Sequence, residues 1–140
     1  MQQTWQNPDD EALRELLRSA RTIAVVGCSP KSDRTSHQIA AFLIEKGYHV
    51  IPVHPKADTI LGQKAYARLS DIPVPVDIVD VFLRPELTPP IAEAAAAIGA
   101  KALWLQQGIV NEDAWKIATD AGLTCVMDLC IAVMHRLLLR

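Results

Sequence analysis

Thr22-Ile23-Ala24-Val25-Val26-Gly27-Cys28-Ser29-Pro30-Lys31-Ser32-Asp33-Arg34-Thr35-Ser36 is the stretch on which the fold turns. The run from Thr22 to Gly27 reads as a strand buried on both faces, because it shows no polar alternation that would give one face to water. Loop-forming residues follow from Cys28 to Thr35. A helix then begins near Ser36, with Ile39, Ala40, Leu43 and Ile44 as its inner stripe and Gly47 as its end.

The same alternation continues outward. Tyr48 to Val53 reads as a second strand, stopped by Pro52 and Pro55. A longer connection holding Gly62, Pro73 and Pro75 leads to a third strand, Asp77 to Phe82. Pro85 breaks it, and Ile91 to Ile98 forms an alanine-rich helix closed by Gly99. Ala102 to Leu105 is the fourth strand, Asn111 to Ala121 the next helix, and Thr124 to Met127 the fifth strand. Upstream, Asn7 is placed to cap a helix with Pro8 in its first turn, and Leu13, Leu16, Leu17 and Ala20 recur at helical spacing. Apolar strands alternating with helices of about ten residues predict parallel βαβ units. The expected fold is α/β, a Rossmann-like doubly wound parallel sheet of about five strands with helices on both faces. Residues 1–140 are expected to form one domain, with the N-terminal helix inside 1–20 and a helical tail over 129–140.

Composition excludes several functions. Fourteen Lys and Arg against sixteen Asp and Glu give a net charge of -2, so there is no bulk drive toward nucleic acid or an anionic membrane. Half the residues are hydrophobic but only 5% aromatic, which suits an aliphatic sheet packed by helices and excludes disorder. Cys28, Cys125 and Cys130 are too few and too unevenly placed for a disulfide framework. Their spacing with His135 lacks the short cysteine pairs of zinc sites, so no metal is expected. Met1 to Trp5 has no basic start or apolar run of a secretory signal, and no stretch is long enough to span a bilayer. The expectation is a cytoplasmic protein with reduced thiols.

The loop after the first strand holds the chemistry. Gly27 permits a sharp turn beside a ligand, Ser29, Ser32, Thr35 and Ser36 supply hydroxyls, and Lys31 and Arg34 supply positive charge. Pro30 is counted with Cys28 among the candidate binding residues of this loop, and the helix behind it presents unpaired N–H groups, a natural phosphate site. Only Gly27 survives from the G-x-G-x-x-G dinucleotide fingerprint, with serines at the other two positions. The second strand ends in Val53-His54-Pro55-Lys56, where an NAD-binding chain would carry an acid. His54 and Lys56 suit a phosphate instead, as on NADP or coenzyme A. A thiol at a helix start near Lys31 is expected to have a lowered pKa, so Cys28 becomes a candidate for a mixed disulfide with the thiol of CoA. His37 at the helix start can reach a phosphate, whereas His49 and His135 read as structural. Asp77 and Asp80 are expected to cap or pair locally, and Trp104 and Trp115 to pack. No Ser-His-Asp, paired-carboxylate or lysine-nucleophile signature appears, so no catalytic residue is assigned.

Five pieces in order carry a resemblance: Ile23 to Ser29, Gly47 to Pro55, Asp77 to Phe82, Leu103-Trp104-Leu105-Gln106-Gln107-Gly108-Ile109, and the terminal Cys130 and His135. From about Glu11 onward the chain resembles the small CoA-binding proteins that consist of one Rossmann-like domain. That domain also forms the nucleotide-binding part of the succinyl-CoA synthetase α subunit. The resemblance implies CoA phosphates against Gly27, Ser29, Lys31 and the helix start at Ser36. It puts His54, Pro55 and Lys56 beside the nucleotide end, with Phe82, Leu83 and Arg84 as a wall. Gln106, Gln107 and Gly108 would lie on the same sheet edge. The chain departs from the family pattern at His54, where Asn is usual, and at Leu129 and Met134, where Arg and Glu are usual.

These readings imply a CoA or acyl-CoA binding protein with no catalytic apparatus of its own. The alternatives are an NADP-type nucleotide-dependent enzyme, or a non-catalytic subunit of an acyl-CoA enzyme. The apolar segment from Leu129 to Leu139 leaves room for a homo-oligomer or a partner enzyme.

Overall fold

The computed structural model describes residues 4–139, so the readings made for Met1–Gln3 and for Arg140 at the end of the tail lie outside the described residues. Five parallel strands form one sheet: β1 (Thr22–Val26), β2 (His49–Val53), β5 (Ile78–Val81), β6 (Ala102–Leu105) and β7 (Thr124–Val126). Their order across the sheet is β2-β1-β5-β6-β7. The chain runs outward from β1 to one edge and then returns to the other side, so β1 and β5 flank the point where the winding reverses. In open α/β sheets, ligands bind outside the carboxyl ends of the strands at such a point.

Side chains alternate between two cores, as the pleat requires. Ile23 and Val25 of β1 join Ile78 and Trp104 on one face, under α1 (Asp10–Ser19), α2 (Thr35–Glu45) and α5 (Ile131–Leu138). Ala24, Val26, Val79, Leu103 and Leu105 point the other way, into the core under α3 (Thr88–Ala97) and α4 (Glu112–Asp120). Apart from Thr22 at the start of β1 and Asp80 in β5, the central strands are therefore apolar on both sides, which is why none shows amphipathic alternation.

Three sequence expectations change. Asp9, not Asn7, caps α1: its carboxylate accepts from the Ala12 amide at 2.9 Å. Asn7 instead ties the entering chain to β7, its Nδ2 donating to the Met127 carbonyl and its Oδ1 accepting from the Met127 amide, both at 2.8 Å. The long connection after β2 also contains a small antiparallel hairpin, β3 (Thr59–Ile60) and β4 (Gln63–Lys64), too short to show periodicity. Asp80 neither caps nor pairs. It sits inside β5, between Val25 and Trp104 of the neighbouring strands.

Candidate functional site

Gly27 is the pivot of the site. Its φ is +81°, and a Cβ built there would lie 2.5 Å from the Phe82 carbonyl oxygen and 3.1 Å from Leu83 Cδ2. Only glycine accepts both the left-handed backbone and that approach. Two hollows meet at it on the carboxyl edge of the sheet, and a third adjoins them.

The first is apolar, about 360 Å³, and lies on the α3 side of the sheet. Val26, Gly27, Val53, Pro55, Leu69 and Leu83 line it, with Arg68 and Ser70 supplying the polar groups. The second, about 340 Å³, is polar and is formed by Gly27, Ser29, Arg34, Thr35, Ser36 and Phe82. The third, about 350 Å³, runs along the end of β6 to the start of α5 and is lined by Thr35, Ile39, Phe82, Gln106, Gln107, Ile109 and Cys130. The first two share Gly27, and the last two share Thr35 and Phe82, so the hollows form one chain across the sheet edge.

The polar hollow is preorganised by its own loop. The Ser36 hydroxyl accepts from the Ser29 amide at 2.9 Å, and the Ser29 hydroxyl accepts from the Lys31 amide at 3.1 Å. His37 Nδ1 lies 3.0 Å from the Ser29 carbonyl, which can only accept, so this nitrogen carries the proton. His37 thus fastens the loop to α2. Arg34 occupies the N-cap of α2 and gives no side-chain cap, unlike Asp9 on α1 and Asn111 on α4. A guanidinium has no acceptor to offer. The first turn of α2 therefore meets the hollow with N–H groups that no cap residue satisfies, beside a fixed positive charge, which is the chemistry of an anion site.

The predicted residues divide between the hollows and their surroundings. Gly27, Ser29, Arg34, Ser36, Pro55, Phe82, Leu83, Gln106 and Gln107 line the hollows. Pro30, Lys31, Lys56 and Arg84 are exposed and line none of the three. Gly108 turns its amide to Asp128 Oδ1 at 2.7 Å. His54 is half-buried, and its Nδ1 accepts from the amides of Lys56 at 3.1 Å and Ala57 at 2.9 Å. It performs locally what an Asn oxygen performs in an Asx turn, which explains how histidine can stand where asparagine is usual.

Cys28 requires a correction. Its thiol is not activated by the helix start: it faces the core on the α2 side with no exposed surface, and burial first and the nearby Asp80 second push its pKa up to about 11. Cys125 is likewise buried in β7, with its thiol pushed up to about 12 by burial. Asp80 is fully buried and neither of its oxygens has a hydrogen-bond partner, so burial raises its pKa well above the usual carboxylate range. Burial works on Asp77 in the same direction, but amide donation from Thr22 and Arg21 and the ammonium of Lys101 outweigh it and leave that carboxyl below its ordinary value. His135 packs edge-on against Phe42 and Tyr48, and burial with the charge of Lys46 lowers its pKa. Among the described residues, no group of three or more His, Cys, Asp or Glu is placed to hold a metal ion. Among the described residues, no helix is long and apolar enough to cross a membrane.

Sequence reasoning missed the wall from Ala67 to Ser70. It weighed Cys130 for a disulfide, for a metal and as a marker of resemblance, but did not place it in the site, although Cys130 lines the third hollow. Nothing local identifies Ala67 to Ser70, because the bridge between Val53 and Tyr66 is what brings that segment to the sheet edge.

The sequence pattern of the family described as CoA binding domain matches residues 21–136. The chain belongs to the CoA binding domain family. Within this relationship, it is 45% identical over 130 residues to the uncharacterized protein YneT of Bacillus subtilis (strain 168), covering 93% of this chain and 96% of that one. It is 31% identical over 79 residues to the ADP-forming 4-hydroxybutyrate–CoA ligase of Nitrosopumilus maritimus, which is 55% of this chain but 11% of the ligase. Among solved structures, a hypothetical protein from Pyrococcus horikoshii OT3 matches with a TM-score of 0.93 at 39% identity over 100% of both chains. A Thermus thermophilus protein matches with a TM-score of 0.89 at 36% identity, over 94% of this chain and 99% of that one. The parallel Rossmann-like sheet is thus shared with the structural relatives of this CoA binding domain.

Proposed function

We propose that this chain is a stand-alone binding protein for coenzyme A or an acyl-CoA, acting in the cytoplasm and holding its ligand along the three hollows without catalysing a reaction on it. The observation that carries this reading is the uncapped first turn of α2, which opens into a polar hollow between two less polar ones. CoA has the same order of chemistry: a flat adenine, a pyrophosphate, and a long arm ending in a thiol. The adenine enters the apolar hollow against Pro55, Leu69 and Leu83, and the ribose 3′-phosphate meets Arg68 at the rim, with Lys56 next to Pro55 in the chain. The pyrophosphate takes the α2 N–H groups together with Ser29, Arg34 and Ser36. The arm runs past Phe82 toward Gln106 and Gln107. Lys31 and Arg84 add positive potential around the anion without lining the hollows.

Thermal unfolding with CoA, dephospho-CoA, acetyl-CoA, NAD and NADP tests the reading. At about 100 times its dissociation constant, CoA adds roughly 2.7 kcal/mol, and at about 2–4 °C per kcal/mol the midpoint rises by several degrees. A larger rise with CoA than with dephospho-CoA, reduced in Arg68→Ala, supports the 3′-phosphate contact. A rise with NADP alone would replace CoA binding with a nicotinamide reading, and no rise with any nucleotide would leave the hollows without this role.

A further inference from the structure

We propose that Cys130 closes the far end of the ligand channel and captures the disulfide form of the ligand as a mixed disulfide. This rests on the CoA-binding reading and extends it from reversible binding to redox-linked retention.

Of the three free cysteines, Cys28 and Cys125 are sealed in the two cores, and Cys130 alone is part-exposed and lines a hollow. That hollow is continuous with the anion hollow through Thr35 and Phe82, so a ligand anchored on α2 by its phosphates can extend an arm only a short way before reaching it. Its lining is mostly apolar, but it contains Gln106, which is 4% exposed. The Oε1 of Gln106 accepts from the Ile131 amide at 3.1 Å, which caps α5 in place of Cys130, whose side chain makes no cap bond. The Nε2 of Gln106 has no partner among the described residues. This donor is open to the hollow rather than sealed in the core, and a carbonyl of an arm carrying two amides can accept from it. The thiol is also held in place. Met127 is tied to Asn7, Asp128 accepts from Gly108, and the Leu129 carbonyl accepts from Trp104 Nε1 at 2.8 Å. Cys130 therefore follows three consecutively anchored residues and faces the arm from fixed backbone.

The step is a thiol–disulfide exchange with the symmetrical disulfide of CoA. Cys130 Sγ loses its proton to water and attacks one sulfur of that disulfide. The S–S bond between the two CoA halves breaks, and a new S–S bond joins Sγ to the bound half. The other half departs as a thiolate and takes up a proton. No other oxidant is needed.

Intact-mass measurement after incubation with CoA disulfide tests this, alongside the thermal shift produced by reduced CoA. The expected result is a gain of one CoA less two hydrogens, mapped to Cys130 and removed by dithiothreitol. Because binding raises the effective concentration at the thiol, the adduct should form about tenfold or more faster than with glutathione disulfide at equal concentration. Cys130→Ser should lose the adduct, while Cys28→Ser and Cys125→Ser, where they fold, should retain it. A thermal shift with CoA but no adduct overturns capture and leaves the binding reading intact. Equal rates with both disulfides, or an adduct on Cys28 or Cys125, also overturn it. Absence of the thermal shift removes the binding reading and this inference with it.

Discussion

Replacing Gly27 by Ala separates two reasons for a glycine that usually act together. The backbone reason is its φ of +81°, and the spatial reason is the Phe82 carbonyl oxygen 2.5 Å from where a Cβ would sit. Gly47 has the first without the second, since its φ is +96° and nothing lies within 4 Å of its Cβ position. An L-residue held in the left-handed region costs roughly 1–2 kcal/mol. Forcing a methyl into a packed space costs about 1–3 kcal/mol more. The clash here is with backbone, held by the Phe82 amide donating to the Val26 carbonyl at 2.9 Å, so relief by a side-chain rotation is closed off. Gly47→Ala should therefore lose roughly 1–2 kcal/mol, and Gly27→Ala about 2–5 kcal/mol. The difference of about 1–3 kcal/mol corresponds to roughly 2–12 °C between the two midpoints. Urea denaturation of both variants, with slopes compared to confirm an unchanged transition, measures it directly. Equal losses in the two variants would refute the close approach of β1 to the Phe82 backbone as the constraint. Where Gly27→Ala still folds, its thermal shift with CoA should be lost, while that of Gly47→Ala is kept.

Other perturbations give expected outcomes of their own. The proton that folded Asp80 retains is released on unfolding above about pH 3.9, so the native state binds more protons and Asp80's contribution to stability falls as pH rises, by up to about 1.4 kcal/mol per pH unit. Asp80→Asn removes that dependence, and the difference between variant and parent in urea should grow in the variant's favour from pH 4.5 upward; a constant difference would show that Asp80 is not held neutral. Asn7→Ala leaves the amide and carbonyl of buried Met127 without their side-chain partner, at about 1–3 kcal/mol for each group left unsatisfied; a loss below about 0.5 kcal/mol in thermal unfolding would mean water replaces both bonds. His54→Asn should stay within about 0.5 kcal/mol of the parent, because an amide oxygen can accept from Lys56 and Ala57 as Nδ1 does, whereas His54→Ala should lose roughly 1 kcal/mol or more. A stability order that places Asn with Ala would show that the imidazole ring itself matters.

The sheet was legible because burial on both faces leaves a coarse and redundant signal. Apart from Thr22 and Asp80 the central strands are apolar along their length, α2, α3 and α4 are each followed by a glycine, and the fourth strand is legible to the residue at Ala102–Leu105. The lining of the polar hollow is legible for a related reason: Gly27, Ser29, Arg34 and Ser36 are contiguous with a strand end and a helix start, so one local stretch builds it. The apolar hollow was not. Pro55 and Leu83 appeared only through the resemblance, and Arg68 not at all, because residues from three separate crossovers converge there without any short-range pattern.

The cysteines show most clearly where local reading stops. Cys28 is next to Gly27 in a loop full of hydroxyls and charge, so sequence proximity makes it the reactive thiol. In the fold, Gly27 turns the chain so that Cys28 continues the buried α2-side face of β1, near the carboxyl of Asp80. Cys130 looks inert by the same standard, preceding a helix of Ile131, Ala132, Val133 and Met134. Its access depends on Gln106, twenty-four positions earlier, taking over the cap of α5 and leaving the N-cap side chain free to face the hollow. A thiol is made available here by which other residue satisfies a helix terminus, a relation set by the pairing of β6 with β7 that no window of sequence contains.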